Sequence, residues 1–425
     1  MTKLLVIADD FTGALDTGIQ FVRQGVSTKI ITISQNSIPL LPQPEEVLVI
    51  DTQTRHCEPG TSYQIVHTIC RLAKAAGIRY FYKKTDSALR GNIGSELSGL
   101  LAASGEKFLS FVPAFPAAGR TTRNGIHFWN GKPIHTTAFG KDLLNPLSTS
   151  SIPKLLRLQT ELPIQVVPID FVSLNKDFRG ILVFDGETEE HLKQIASYFR
   201  TENITTVWAG CAGFGIFLPD LLSLSKKVRT NYQKTSRLAF FCGSLHPVTQ
   251  RQIAYAKEQG FVEIRLTPGQ KLIPEYYATT EGKNLLFEIS QSLCQSHSII
   301  INTFDKNNGE TASYAMAHHI PQKEIPSRIT STLAVIADYF IQEEICTDFF
   351  MTGGDTLLGL MKQLHCTQIE PLWEIGLGTV ISNLQINGKK LQIISKSGGL
   401  GEPDMFVKAA KLLGVEVPSL SRLHS

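Results

Sequence analysis

Leu4-Leu5-Val6-Ile7-Ala8-Asp9-Asp10-Phe11-Thr12-Gly13 is the stretch on which the fold turns. Five apolar residues in succession have the length of a strand. A strand apolar on both faces belongs inside a parallel sheet that is covered on both sides. Two aspartates end the run, and Asp9 to Gly13 is the predicted turn. Ala14 to Arg23 then has helical character, with Gly25 as its stop. A helix cap needs one Asp, and a second adds repulsion beside a buried strand, so the Asp9-Asp10 pair points to function.

The same rhythm continues outward. Strands are predicted at Lys29 to Ile33, Val47 to Ile50, Tyr80 to Lys84, Phe108 to Val112, Ile181 to Phe184 and Thr205 to Trp208. Helices are predicted at Tyr63 to Ala76, Ile93 to Ala103 and Glu189 to Arg200. Phe115 to Thr160 breaks the pattern, being rich in Gly, Pro, Thr, Asn and His. Its aromatics Phe115, Phe128, Trp129 and Phe139 favour a functional loop over disorder. The polar tract from Leu221 to Arg237 is the expected linker, dividing 1–228 from 236–425. A second series follows it, with strands at Leu238 to Phe241, Val262 to Leu266, Ile299 to Asn302, Phe349 to Met351, Thr379 to Leu384 and Leu391 to Ser395. Helices fall at Val248 to Gln259, Asn284 to Gln295, Thr330 to Glu344 and Thr356 to Leu364. The expected class is α/β: two domains, each a mostly parallel sheet flanked by helices, with the ligand site in the cleft between them.

Composition fits this reading. The chain has 425 residues, 42% hydrophobic and 19% charged, as in an ordinary globular protein with room for two or three domains. With 41 basic and 38 acidic residues the net charge is +3, too even for a protein that coats nucleic acid. The seven cysteines are odd in number and lack C-x-x-C spacing, which argues against a disulfide framework and a thiolate zinc site. The N-terminal apolar run is too short for a signal peptide, and no run nears the ~18 residues of a membrane span. A cytoplasmic location is expected, with no nucleic-acid and no membrane partner.

Acidic residues recur at predicted strand ends: Asp9 and Asp10, Asp51, Asp86 and Asp185. In open parallel sheets that edge is where ligands bind. Asp185, before Gly186, reads instead as a turn residue. Arg55 follows the strand that ends at Asp51 and offers a two-pronged donor for a carboxylate, although a surface arginine has the same sequence appearance. Lys83-Lys84-Thr85-Asp86-Ser87-Ala88-Leu89-Arg90-Gly91-Asn92 runs from a strand to the start of a helix, a setting that favours an anion. Lys83 to Lys141 holds eight Lys or Arg against three Asp or Glu, so the positive charge is concentrated there. In the C-terminal half, Gly243-Ser244, Gly353-Gly354-Asp355-Thr356 and Ser397-Gly398-Gly399-Leu400-Gly401 each follow a strand. Glycines there let backbone amides approach phosphate oxygens, and three such corners in one domain favour a nucleotide site. It is no known P-loop: Gly13 and Gly18 have the spacing, but Ile19-Gln20 replaces the Lys and Ser or Thr. The histidines show no ligand spacing and read as structural, with His246 as the exception to watch.

Together, Ala8-Asp9-Asp10-Phe11-Thr12-Gly13-Ala14, Lys84 to Asn92, Pro113 to Arg120, Gly353-Gly354-Asp355-Thr356 and Lys396 to Gly401 resemble the four-carbon acid sugar kinase family, in family order along nearly the whole chain. The resemblance implies an N-terminal acid-sugar-binding domain, a C-terminal ATP-binding domain, and phosphorylation of the terminal hydroxyl of a C4 sugar acid with ATP and Mg²⁺. Lys83-Lys84-Thr85-Asp86-Ser87 is similar to the threonate and erythronate branch rather than the 3-oxo-tetronate branch, with D-threonate favoured over D-erythronate. It implies that Asp9, Asp10, Arg55, Lys83, Lys84, Thr85 and Asp86 bind the sugar acid. ATP would be held by Ser244, Gly353, Gly354, Asp355, Thr356, Lys396, Gly398, Gly399 and Gly401. Asp355 is the expected general base and Asp86 the runner-up; either could instead ligate Mg²⁺, so the metal ligands stay open. The expected partners are a small sugar acid and ATP, with a homodimer left open. A non-catalytic anion-binding regulator and an ATP-dependent ligase are the competing readings.

Overall fold

The computed structural model describes residues 1–33, 41–142, 145–227, 231–386 and 388–417. The chain forms two compact units, Met1–Arg229 and Thr230–Ser425. The expected linker includes residues 228–230, which lie outside the described residues.

The first unit runs β1 (Leu4–Ala8), α1 (Phe11–Arg23), β2 (Thr28–Thr32), β3 (Val47–Asp51), α2 (Pro59–Ala75), β4 (Tyr80–Lys84), α3 (Ile93–Ser104) and β5 (Phe108–Val112). It continues with β6 (Arg120–Arg123), β7 (Ile126–Trp129), β8 (Lys132–Pro133), α4 (Ile152–Arg157), β9 (Ile164–Val167), β10 (Gly180–Phe184), α5 (Glu189–Glu202), β11 (Val207–Gly210), α6 (Ala212–Gly215) and α7 (Leu218–Leu221). The main sheet has the order β2-β3-β1-β4-β11-β5-β10-β9 and every pairing in it is parallel. Leu5 and Ile7 of β1 pack with Val66 and Ile69 of α2 and with Leu97 and Leu100 of α3, and all are buried. The chain leaves β1 toward β2 on one side and leaves β4 toward β5 on the other. A crevice therefore opens beyond the C-terminal ends of β1 and β4, where such sheets bind ligands.

Two expectations need correcting here. The helix starts at Phe11 rather than Ala14, because Asp10 accepts a bond from the Gly13 amide at 2.9 Å and caps it. The stretch from Phe115 is also not structureless. It forms a small antiparallel sheet, β6-β7-β8, with Trp129 edge-on to Phe139 at 5.1 Å and the Arg120 guanidinium over both rings. Its strands are four residues or fewer and include Pro133, too short to show a period of two.

The second unit runs β12 (Leu238–Cys242), α8 (Pro247–Glu258), β13 (Val262–Arg265), α9 (Pro268–Leu272), α10 (Thr280–Ser296), β14 (Ser298–Asn302), α11 (Glu310–Ala317) and α12 (Ile325–Gln342). It ends with β15 (Asp348–Thr352), α13 (Gly354–Gln363), β16 (Gln368–Gly376), β17 (Thr379–Ile386), β18 (Lys389–Lys396) and α14 (Met405–Leu413). The strand order is β13-β14-β12-β15-β18-β17-β16, parallel as far as β18 and antiparallel for the last two pairings. Phe240, Phe350 and Phe406 stack in its core, with ring centroids 4.9–5.1 Å apart. The chain leaves β12 and β15 in opposite directions, so this unit too has a crevice beyond two strand ends. β16 was not expected from the sequence. Pro371 and two bulges interrupt it, so it lacks both an apolar run and clean alternation.

Candidate active site

Sheet register brings the predicted sugar-acid residues to one edge. Ala8 pairs with Asp51 on one side and Lys84 on the other, so Asp9, Asp10 and Thr85 emerge side by side. Arg55 binds them together: Nε lies 2.7 Å from Asp9 Oδ2, Nη1 2.6 Å from Asp10 Oδ2 and Nη2 3.7 Å from Asp86 Oδ1. The guanidinium fork expected to await a ligand carboxylate is therefore already filled by protein carboxylates. Asp86 is gripped further by Arg90, whose Nε is 2.7 Å from Oδ2 and whose amide donates to the same oxygen at 3.1 Å.

These contacts decide the charge states. Burial alone would raise the Asp86 carboxyl, but Arg55, Arg90 and Lys84 hold it far below the usual carboxylate range. Asp9 is likewise lowered, with burial opposed by Arg55, Lys83 and Lys84. Asp51 goes the other way, pushed up to about 7 by burial and by the negative charge of Asp10 and Asp9. Asp51 thus does not add a full fourth negative charge to Asp9, Asp10 and Asp86 at neutral pH.

Lys84 donates to the Thr85 carbonyl at 2.7 Å and lies over Gly13. A Cβ on Gly13 would come within 2.6 Å of the Lys84 ammonium and 2.5 Å of Asp10 Oδ1, so glycine is required for this approach. Asp9 Oδ1 and Thr85 Oγ1 are buried with no hydrogen-bond partner. Leaving such groups unpaired costs about 1–3 kcal/mol each, and hydroxyls of a polyhydroxy acid would satisfy both.

Lys83 has a different setting from Lys84. Its ammonium is fully buried, 3.0 Å from Glu96 Oε2 and 2.8 Å from the Lys84 carbonyl. It is an internal ion pair that braces β4 against α3. Glu96 also accepts from Thr54 Oγ1, one residue before Arg55. Burial raises the Glu96 carboxyl while Lys83 draws it back down. Sequence reasoning missed Glu96, Thr54 and Arg90. The available signal was a glutamate on the helix face shared by Ile93, Leu97 and Leu100, where a carboxylate needs a buried partner.

In the second unit the three glycine corners converge. A Cβ on Gly398 would overlap Ser244 Oγ, and one on Gly243 would overlap Thr356 Oγ1. Thr356 Oγ1 donates to the Thr352 carbonyl at 2.8 Å, and the Gly353 amide to the Lys396 carbonyl at 2.8 Å. Lys396 is buried, and its ammonium donates to the carbonyls of Ser397 at 2.8 Å, Gly398 at 3.2 Å and Leu400 at 2.9 Å. Burial lowers its pKa to about 8, so it stays charged at neutral pH and shapes the loop that holds Gly398, Gly399 and Gly401. Gln252 supports the same loop, donating to the carbonyls of Gly401 at 3.0 Å and Glu402 at 2.9 Å. Asp355 is exposed in the first turn of α13, next to Thr356.

Two flagged residues are structural. His246 accepts from the Val248 amide at 3.2 Å and caps α8. Asp185 accepts from the amides of Asn124 at 2.7 Å and Gly125 at 2.9 Å. Among the described residues no three His, Cys, Asp or Glu side chains form a cluster able to hold a metal. Asp355 is an exposed carboxylate at the Gly353 corner.

A model described as a sugar-binding N-terminal domain matches residues 4–218, and one described as a nucleotide-binding C-terminal domain matches residues 239–406. The chain is 28% identical to a D-threonate kinase of Salmonella typhimurium, over 96% of this chain and 97% of that protein. It is 24% identical to a D-erythronate kinase of Heliobacterium modesticaldum, over 95% of each. A crystal structure from Salmonella typhimurium LT2 shares the fold with a TM-score of 0.81 at 21% identity, covering 97% of this chain and all of that one. An edge of carboxylates and basic side chains in one unit and a glycine-lined edge in the other carry the motifs in their expected order, and both domain models match: the chain belongs to the four-carbon acid sugar kinase family.

Proposed function

We propose that the protein transfers the γ-phosphate of ATP to the C4 hydroxyl of a four-carbon sugar acid, with D-threonate as the preferred substrate and D-erythronate as the weaker one. The carrying observation is the convergence of three glycine corners on Ser244 beside the exposed Asp355. The full-length similarity to D-threonate kinases supports the choice of acid. Residues 1–228 bind the acid and residues 236–425 bind ATP.

Lys84 provides the positive charge that attracts the substrate carboxylate, and Arg55 holds Asp9, Asp10 and Asp86 in place around the acid. Asp9 and Asp86 accept from its hydroxyls, and Thr85 Oγ1 completes the set. Asp10 holds Arg55 and caps α1. Lys83 acts through Glu96 as a positioning residue. Ser244, Gly353, Gly354 and Thr356, with the Lys396 to Gly401 loop, hold the phosphates, and Asp355 takes the C4 proton. Asp86 is a poor base, since the guanidiniums that lower its pKa stabilise the very form that would have to accept a proton. Magnesium bound with ATP would neutralise phosphate charge. No helix among the described residues is long and apolar enough to cross a membrane, and we place the enzyme in the cytoplasm with ATP.

The test is ADP release in a coupled assay with Mg-ATP and each C4 acid in turn. D-threonate should give the highest kcat/KM and D-erythronate a lower one. Preference for 3-oxo-tetronate would overturn the choice of acid, and no release with any acid would overturn the kinase reading.

A further inference from the structure

We infer that Arg120, the last residue of the Pro113 to Arg120 stretch, grips the carboxylate of the sugar acid and so sets which end of the acid enters the site. This rests on the kinase reading and names the group that orients its substrate. The fork of Arg55 is already filled by protein carboxylates, and the single ammonium of Lys84 attracts an anion without fixing its plane.

Arg120 is short of partners. Arg55 and Arg90 both face carboxylates. Among the described residues Arg120 has no carboxylate at ion-pairing distance, and its guanidinium makes one hydrogen bond, from Nη1 to the Ala118 carbonyl. Nε is covered and has no acceptor. Burial lowers the pKa of the group and the charge of nearby Asp86 opposes that, yet an arginine stays charged. The side chain is half-buried, so a ligand can reach it. A cation drawn partly out of water without a counter-ion is costly, and a planar carboxylate is the anion that its fork fits best.

The stretch before Arg120 holds it in place. Phe115 and Arg120 exchange backbone bonds of 2.8 and 3.0 Å, which close Pro116 to Gly119 into a tight turn. Gly119 turns with φ at 70°, and a Cβ there would strike Asn130 Oδ1. In β6, Arg120 and Thr122 share a face, because successive strand residues alternate. Thr122 Oγ1 lies 3.0 Å from His127 Nδ1, and His127 Nε2 lies 3.1 Å from the Ser87 carbonyl. That face is therefore tied to the turn that carries Asp86. Phe139 joins the two arginines: the Arg120 guanidinium is 5.5 Å from its ring and that of Arg90, which grips Asp86, is 5.6 Å from it. An acid held by Arg120 brings its hydroxyls toward Asp86.

The ratio of kcat/KM for D-threonate to that for its primary amide, followed by ADP release, tests the assignment, because the two differ only in charge and acceptors at C1. The parent should favour the acid. Arg120→Ala should cut the ratio about tenfold or more, the worth of hydrogen bonds to a charged group, chiefly through the KM of the acid. Arg120→Lys keeps the charge but not the fork, and its ratio should fall between the two. Both variants should bind ADP in calorimetry as the parent does. A parent without preference for the acid, or variants in which acid and amide lose equally, would overturn the role of Arg120 and leave the kinase reading intact. An unchanged ratio in Arg120→Lys is enough to do so, whether or not the alanine variant folds. A parent that releases no ADP with any C4 acid would overturn both.

Discussion

Arg55 shows how much one side chain carries at this site, because its guanidinium faces Asp9, Asp10 and Asp86 at once. In Arg55→Ala the sugar-acid KM should rise at least tenfold while calorimetry finds ADP affinity unchanged, since lost ground-state contacts appear in KM. Loss of ADP binding in that variant would contradict the division of labour between the units. Asp355→Asn keeps the shape but cannot take a proton, so kcat should fall by ~10²–10⁴ with little change in ATP affinity. A collapse of Mg-ATP affinity would instead make Asp355 a metal ligand. Lys396 sets a pH limit. Its folded pKa is about 8 against an ordinary 10.5, so on raising the pH the native protein gives up this proton before the unfolded chain does. From about 8 to 10.5 the global stability therefore rises, because only the unfolded state still holds the proton. Locally the effect is opposite: the neutral amine keeps only two N–H donors for the three loop carbonyls of Ser397, Gly398 and Leu400 and loses the charge that strengthens those bonds. The KM for ATP should rise with an inflection near pH 8, and a flat profile from pH 7 to 9 would refute that role.

Among the elements, the three strand-to-helix or strand-to-loop corners of the second unit work only because their glycines let chains approach closely. Gly398→Val would drive a side chain into Ser244 Oγ. Nucleotide affinity should fall at least tenfold, read by calorimetry, with the sugar-acid KM unchanged. An unaltered ADP affinity would remove Gly398 from the site. What was legible in the sequence follows from the same local physics. β1, β3, β5 and β12 are buried on both faces, so their apolar runs announce them. β16 is bulged and holds Pro371, and β6 to β8 are too short for a period, so neither leaves a clear trace. The corners at Gly243, Gly353 and Gly398 were legible as motifs. The pairing of Lys83 with Glu96 was not, because it joins a strand and a helix through a contact that neither pattern encodes. The adjacent lysines Lys83 and Lys84 look equivalent in sequence, yet successive strand residues point to opposite faces and they meet different partners.

At the scale of the molecule, each unit carries an open, mostly parallel sheet whose strand order reverses once, and each set of predicted ligand residues stands at its own reversal. In the first unit that edge is acidic, with paired guanidiniums and two orphaned acceptors. In the second it is glycine-lined with one buried ammonium. The proposed acceptance of hydroxyls by the first and of phosphates by the second is what a sugar acid kinase requires, and the family match extends over both units. The central claim is the position and kind of bond made. It is tested most directly by ³¹P nuclear magnetic resonance of the product formed from D-threonate and Mg-ATP. The account predicts one phosphate monoester coupled to the C4 protons, formed in step with ADP and inert to hydroxylamine. A phosphate on the carboxyl group, captured by hydroxylamine, would make the protein a carboxylate-activating enzyme and contradict it.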